Sequence, residues 1–527
     1  MLTYFVIVPA LIAIFLYLFS SNRASRVVAI IAQTIFVLFT LYLFLESRQG
    51  DILTVVGGYR GVLGITLKAD MLSSALVMLT AILFLLAAFY GIREENSKLY
   101  WLLMFIWQGL IIGIFLSRDF FNVFVLLEVA TLIVAVLIMY LREKRSMFDG
   151  VIFIMINTAA IQFYLLGIGY IYMITGTMDM AVAATVIAEI EPRQLILPYV
   201  LIMTPIAFKC ALVPLASWLP KVQGIPRAPS AVAAILSGLH VKCALFLFIR
   251  FQEVFAPIAT SGFFLILGSV TAILSIIMAF SQKDIRLVLA YSSTAQIGLI
   301  MIGLNLGGDY AYVGSFYHII NHAVFKTALF LSAGIIVRMY KTRDMTKIRG
   351  LFKGSPLLAT TTLFAILGII GAPFFNGSIS KYFLMAETNG VTFWLINLIN
   401  LGTITIFIKF ITMLFGRDTS DKTVKINGSK QAAVLALGAM CLLMGVGGIW
   451  LVDFLFGKDV SFSAWGYFEK AVIFAFSFVV AILINWLLQD RVVTLHRISK
   501  IDLNFKGMCV SLGVLFAIML VVVEVVM

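Results

Sequence analysis

Charge is scarce in this chain: Asp, Glu, Lys and Arg make up 12% of its 527 residues, about half of the roughly 25% usual in soluble domains. That nearly rules out a soluble enzyme. Cysteine is scarce too, with four residues (Cys210, Cys243, Cys441 and Cys509), each alone in an apolar run without CxxC spacing. A disulfide framework, a zinc site and an iron-sulfur cluster therefore have no support. No nucleotide loop of the GxxxxGK[ST] type occurs, so any energy must come from an ion gradient or from partner subunits. The net charge of +13 (38 minus 25) lies in short loops between apolar runs and not in one soluble patch. It reads as a topology signal, and nucleic acid is not an expected partner.

What the sequence has in abundance is apolar length. Hydrophobic residues reach 62% and the mean hydropathy is +1.08, with runs near the roughly 20 residues needed to cross a bilayer. The expected fold class is an all-α polytopic membrane protein with about 14 to 16 transmembrane helices. Sixteen runs are expected, at about 3–20, 27–46, 70–92, 99–117, 120–141, 148–174, 195–219, 229–251, 261–281, 286–306, 312–339, 356–386, 391–415, 430–453, 468–488 and 506–526. The run from Met1 to Ser20 lacks a basic n-region and an Ala-x-Ala-like site, and is read as a retained first span. With the N-terminus outside, about 25 Lys and Arg fall in inside loops against roughly 8 outside, so both termini are expected outside. Arg23, Arg227, Arg286, Arg491 and the stretch from Arg338 to Lys353 are among the inside set.

Two runs are not plain membrane helices. One carries Pro205, Pro214 and Pro220, and the other carries Gly368, Gly371, Pro373 and Gly377. Interior proline removes a backbone donor and clashes with the preceding turn. Broken helices at membrane depth persist only where protein shields them or a watery cavity receives them, and they recur at transporter ion sites. A packing kink remains the bland alternative.

Ionisable residues within spans are costly, at least roughly 2.5–3.5 kcal/mol each, and are functional candidates by default. The candidates for proton translocation are Glu128, Lys209, Lys242, His318, His322, Lys326 and Lys381. His318, His322 and Lys326 are spaced four and four, which lines them along one helix face over about 12 Å, the geometry of a relay. Glu128 and Lys209 would form an opposite-charge pair if their helices touch. Three further residues are secondary. Lys409 can equally snorkel to the inside edge, His240 points away from Lys242 as a core histidine would, and Asp119 fits an interfacial cap. His496 lies in a basic loop and carries no expected role. A metal at His318 and His322 lacks a third ligand, so no metal or cofactor is expected.

At these positions the chain resembles the antiporter-like subunits of respiratory complex I, Mrp-type sodium/proton antiporters and membrane-bound hydrogenases. The matching stretches are LLEV at Glu128, FKCALVPLASWLP at Lys209, APSAVAAILSGLHVK at Lys242, QKDIRLVLAYSSTAQIG from Gln282, HIINHAVFKTALFLSAG from His318 and GAPFFNGSISK ending at Lys381. The NHAVFK pattern and Lys381 look closer to the D-type member of the Mrp antiporters and its hydrogenase relatives. The resemblance implies two inverted five-helix repeats, each with a broken helix, the seventh and twelfth spans here. It implies N-terminal helices over 1–117, half-repeats over 118–260 and 261–415, and C-terminal helices over 416–527. Glu128 would pair with Lys209, and Lys242, His318, His322, Lys326 and Lys381 would complete a hydrated polar axis. Family members carry Lys or Glu at the place of Lys381, and two spans after residue 460 exceed the usual fourteen.

The implied function is a proton-translocating subunit, without enzymatic activity of its own, of a multisubunit cation/proton antiporter or a redox-driven pump. Its expected setting is a prokaryotic plasma membrane, among other hydrophobic subunits and the lipid bilayer, with protons and Na+ as the ions. The alternatives are a self-contained carrier of a small solute, or a membrane enzyme acting on lipids. The titratable groups form a line and not one compact pocket, which weighs against the carrier.

Overall fold

The computed structural model describes the chain apart from residues 20–21, 59–63, 94–96, 226–227, 422–423, 425, 458–461 and 489–502. Arg227, Arg491 and His496 therefore lie outside the described residues. Each of the sixteen expected runs is helical. The helices used below are α1 (Leu2–Phe19), α2 (Asn22–Glu46), α3 (Met71–Gly91), α4 (Lys98–Leu116), α5 (Phe120–Ile138), α6 (Lys144–Thr175), α7 (Met180–Ile187), α8 (Pro192–Lys209) and α9 (Trp218–Gln223). They continue with α10 (Ser230–Val254), α11 (Ser261–Ser281), α12 (Ile285–Leu304), α13 (Asp309–Tyr340), α14 (Pro356–Ile370), α15 (Asn376–Leu384) and α16 (Gly390–Leu414). The last are α17 (Gly428–Val446), α18 (Gly448–Phe456), α19 (Ala464–Leu488) and α20 (Phe505–Val526). Among the described residues, 13 helices are long and apolar enough to cross a membrane, and Leu2–Leu18 and Pro356–Ile370 are shorter apolar helices.

Three features depart from unbroken spans joined by plain loops. The run at 430–453 divides at Gly447 into α17 and α18, and Gly445, in the last turn of α17, packs where a Cβ would lie 2.2 Å from the Phe374 carbonyl. Between α2 and α3 the chain forms an antiparallel hairpin, β1 (Ile52–Val56) against β2 (Ile65–Ala69), with Ile52 opposite Ala69. The eight-residue α7 starts at an Asp179 cap that accepts from the backbone N–H groups of Ala181 and Val182.

Burial divides the helices. Ser230–Val254 is buried throughout its most apolar stretch and Asp309–Tyr340 over 94% of it, against 6% for Ala464–Leu487. The two most enclosed of these helices carry His240, Lys242, His318, His322 and Lys326, as expected if charge persists best away from lipid. Small residues set the closest approach. A Cβ on Gly298 of α12 would lie 2.5 Å from the Gly268 carbonyl of α11, and such contact lets two membrane helices pack backbone to backbone.

One local arrangement occurs twice, 165 residues apart. Asp119 caps α5 and bridges to Asp179, with Phe120 N–H donating to the Met178 carbonyl (3.0 Å) and Met180 N–H to the Arg118 carbonyl (2.9 Å). Asp284 caps α12 and bridges to Asp344, with Ile285 N–H donating to the Arg343 carbonyl (2.9 Å) and Met345 N–H to the Lys283 carbonyl (3.0 Å).

Candidate functional site

Helix α8 ends at Lys209, and Ala211 then takes a left-handed φ of 56°. Pro214, which cannot donate to a continuing helix, helps to end it, whereas Pro205 lies within α8. Lys209 is buried, and its Nζ donates to Thr131 Oγ1 on α5 and Asn157 Oδ1 on α6, both at 3.2 Å. Glu128 lies three residues before Thr131 on α5 and interacts electrostatically with Lys209 across the gap. The Oε1 atom of Glu128 is buried without a hydrogen-bond partner. The expected pair is thus within electrostatic reach but forms no direct ion pair, and Thr131 and Asn157, not the carboxylate, hold the ammonium.

Lys242 follows a π turn, Leu236–His240, inside α10. Such single turns widen a helix and frequently mark functional sites. The Lys242 ammonium donates to the Ser237 carbonyl within that turn, and Ser237 Oγ lies 2.9 Å from Ser293 Oγ on α12. Lys326 of α13 donates to the Leu289 carbonyl at 2.8 Å and also to Ser292 Oγ. Both lysines are fully buried, and Lys242 acts electrostatically on Lys326, His322 and His318.

The two histidines differ. His318 is held at both ring nitrogens, Nδ1 2.8 Å from Ser380 Oγ and Nε2 2.9 Å from Gln296 Oε1, and Gln296 in turn donates to Thr403 Oγ1 at 3.1 Å. His322 is fully buried with neither ring nitrogen hydrogen-bonded. Its ring lies 6.5 Å from His318 and 5.3 Å from Phe325, centroid to centroid. Unpaired buried polar atoms carry a penalty of about 1–3 kcal/mol, and His322, like Glu128 Oε1, keeps hydrogen-bonding capacity that no neighbour uses.

The second break parallels the first. Helix α14 ends at Ile370, Gly371 has a φ of 79°, and α15 begins at Asn376. Lys381 reaches back from α15, its Nζ 3.0 Å from the Ile369 carbonyl. The carbonyl end of a helix attracts a cation. Lys381 interacts electrostatically with His318, which joins it to the row. It also lines a small cavity with Ser378, Asn397, Asn400, Tyr467 and Lys470.

The secondary candidates lie off this row. Lys409 donates to the Phe280 carbonyl at the end of α11 and stacks 4.0 Å from the Phe280 ring centroid. His240 accepts from Trp107 Nε1 at 3.4 Å. Asp119 caps α5 by accepting from Asn122 N–H at 2.7 Å. Among the described residues no three His, Cys, Asp or Glu side chains converge as a metal site would require. Sequence reasoning missed Thr131, Asn157, Gln296, Ser292 and Ser380, whose neutral side chains give no charge signal. It also missed Lys470, which stands only two residues inside the expected 468–488 run.

A helical membrane protein with two broken helices and a buried row of titratable groups between them is an antiporter-like ion-translocating architecture. The chain matches the family described as "NADH:quinone oxidoreductase/Mrp antiporter, TM" over residues 117–409, and it belongs to that family. It is 31% identical over 391 residues to the D-type chain of the Na(+)/H(+) antiporter of Alkalihalophilus pseudofirmus, covering 72% of this chain and 79% of that one. It is 32% identical over 345 residues to the N-type chain of the NADH-quinone oxidoreductase of Desulforudis audaxviator, covering 63% and 68%. A chain of the Mrp complex of Dietzia superposes with a TM-score of 0.79 at 22% identity, covering 90% of this chain and 99% of that one. A chain of respiratory complex I from Thermus thermophilus superposes with a TM-score of 0.75 at 23% identity, covering 91% and 100%. The fold is shared with both.

Proposed function

We propose that this chain is a proton-translocating subunit of a multisubunit cation/proton antiporter or a related redox-driven pump. Protons move along Glu128, Lys209, Lys242, Lys326, His322, His318 and Lys381. The observation that carries the reading is a line of titratable groups within the membrane helices, in which Glu128 couples to Lys209, Lys242 couples to Lys326, His322 and His318, and His318 couples to Lys381, with His322 unbonded within it. A proton arriving at one cation repels its neighbour in a low-dielectric interior, so occupancy at one station changes occupancy at the next. Loading Lys242 therefore disfavours a second proton on Lys326 or the histidines, and Glu128 can hold or release Lys209 as the charge passes.

In this reading the chain catalyses no covalent reaction itself, and its energy comes from an ion gradient or from partner subunits. Na+ enters as the cation named for several relatives. The two broken helices and the doubled Asp bridge support a pair of inverted repeats, and the cavity beside Lys381 supports its place as the last group of the route. The basic loops support a plasma-membrane chain with both termini outside.

The test is gentle purification from the native membrane, with every accompanying chain identified. Small hydrophobic antiporter subunits alone indicate a gradient-driven antiporter, and nickel-iron or iron-sulfur proteins indicate a redox-driven pump. A lone chain that transports a solute in liposomes would replace this reading with the carrier.

A further inference from the structure

Away from the polar row, a second constellation lies where α11, α16 and α19 meet at the basic end of the bundle. An open cavity is lined by Lys283, Arg349 and Lys409, together with Gln282, Asn485 and Trp486. No Asp or Glu is among its described lining residues. Asp284 is engaged with Arg343 at 2.8 Å, and Asp344 caps its own turn by accepting from Thr346 N–H at 3.0 Å. Lys283 lies in the connection between α11 and α12, Arg349 in the loop after α13, and Trp486 near the end of α19, where it is 70% exposed. A tryptophan so placed is characteristic of the headgroup level.

A second cavity adjoins the first along the same three helices. Phe280 lines both, and the deeper one is walled by Ile273, Ile277, Leu398, Gly402 and Ile484. From Phe280 to Ile273 the groove runs about 10 Å along α11 at 1.5 Å per residue. Gly402 lets Ile276 of α11 pack closely against α16 at the wall of the slot, where a Cβ would lie 2.7 Å from the Ile276 side chain. Three cations at the interface above a narrow apolar slot match a molecule with an anionic head and a hydrocarbon tail. Basic pockets between membrane helices are known hosts for such headgroups.

We propose that this paired cavity is a binding site for one anionic, phosphate-bearing membrane lipid, with the phosphate among Lys283, Arg349 and Lys409 and an acyl or alkyl chain between α11 and α16. The lipid comes from the bilayer and not from free phosphate, because only the chain fills the apolar slot. The site clamps α19, a helix buried over only 6% of its most apolar stretch, against α11 and α16. This inference is independent of the proton route.

The experiment is native mass spectrometry of the detergent-purified complex titrated with phosphatidylglycerol, phosphatidylcholine or inorganic phosphate. The wild type should retain one phosphatidylglycerol in preference to phosphatidylcholine, and inorganic phosphate should not displace it. Lys283→Gln should weaken retention by about fivefold, in line with about 1 kcal/mol for each basic residue at a membrane surface. Leu398→Trp, which fills the slot and leaves the cations in place, should weaken it as well. Equal retention of both lipids, unchanged retention in both variants, or displacement by phosphate alone would overturn the proposal.

Discussion

Lys381 donates to the carbonyl of Ile369, the residue that occupies in the second broken helix the place Lys209 occupies in the first. The two breaks align by their caps. Leu212 N–H donates to the Ala207 carbonyl (3.1 Å) and Ala372 N–H to the Leu367 carbonyl (2.9 Å), and the left-handed residues are Ala211 and Gly371. One break thus carries its lysine on the first half-helix, and the other borrows one from the second half. In both, an ammonium sits near the carbonyl end of a half-helix, where the backbone dipole favours a cation.

The pairing at the first break predicts a graded series. Glu128→Ala and Lys209→Ala should each abolish coupled transport while the complex still assembles. Thr131→Val and Asn157→Ala remove one neutral hydrogen bond each from a charged group, worth about 1.5–3 kcal/mol, and should lower transport by roughly tenfold or more without abolishing it. Proton flux into vesicles holding the complex, normalised to assembled protein, measures the order.

At the second break the prediction concerns backbone. Gly371 has a φ of 79°, and an added Cβ would meet Lys381 Cδ at 3.0 Å. Gly371→Ala should cost roughly 1–2 kcal/mol through its left-handed conformation and also displace the Lys381 side chain. Reduced transport exceeding the loss of stability, read by thermal unfolding alongside flux, is the expected result.

The histidines should separate. His318 is fixed by Gln296 and Ser380, whereas His322 has no hydrogen-bond partner. His318→Ala leaves Gln296 Oε1 without its imidazole partner and should lower stability by about 1–3 kcal/mol. His322→Ala should slow proton flux less severely than Lys209→Ala, and leave stability nearly unchanged. Parallel unfolding and flux measurements on the two variants distinguish the roles.

How far the sequence reveals this site follows from energetics. A lysine in a membrane span is costly enough to be conspicuous, so Lys209, Lys242, Lys326 and Lys381 stand out from composition alone. Thr131, Asn157 and Gln296 do not, because Ser, Thr, Asn and Gln also serve as ordinary helix-packing groups in membranes. The broken helices are legible from Pro214, Gly371 and Pro373. The π turn before Lys242 is not, since it depends on packing against α13, where a Cβ on Gly238 would lie 2.3 Å from Thr327 Oγ1. The hairpin at 52–69 is missed because two five-residue strands are weak beside long apolar runs.

Outside the membrane, Asp70 links pH to stability. Burial alone would push its carboxyl up, but Arg250, hydrogen bonds with Ser73 and Lys68 together hold it below the usual range. A carboxyl with a lowered folded-state pKa contributes stability above its unfolded value near 3.9, and the contribution is lost as pH falls through the folded value. Asp70→Asn removes the charge facing Arg250 and Lys68 while keeping an oxygen to cap α3. It should destabilise by about 1–3 kcal/mol at pH 7, and the difference from wild type should vanish in strong acid. Denaturation at several pH values checks both statements.

The most direct test of the central claim is proton uptake by proteoliposomes containing the purified complex, comparing wild type with Lys209→Ala. Loss of uptake from an intact, fully assembled complex is the predicted result. Wild-type uptake by the Lys209→Ala complex would contradict a proton route through the buried row.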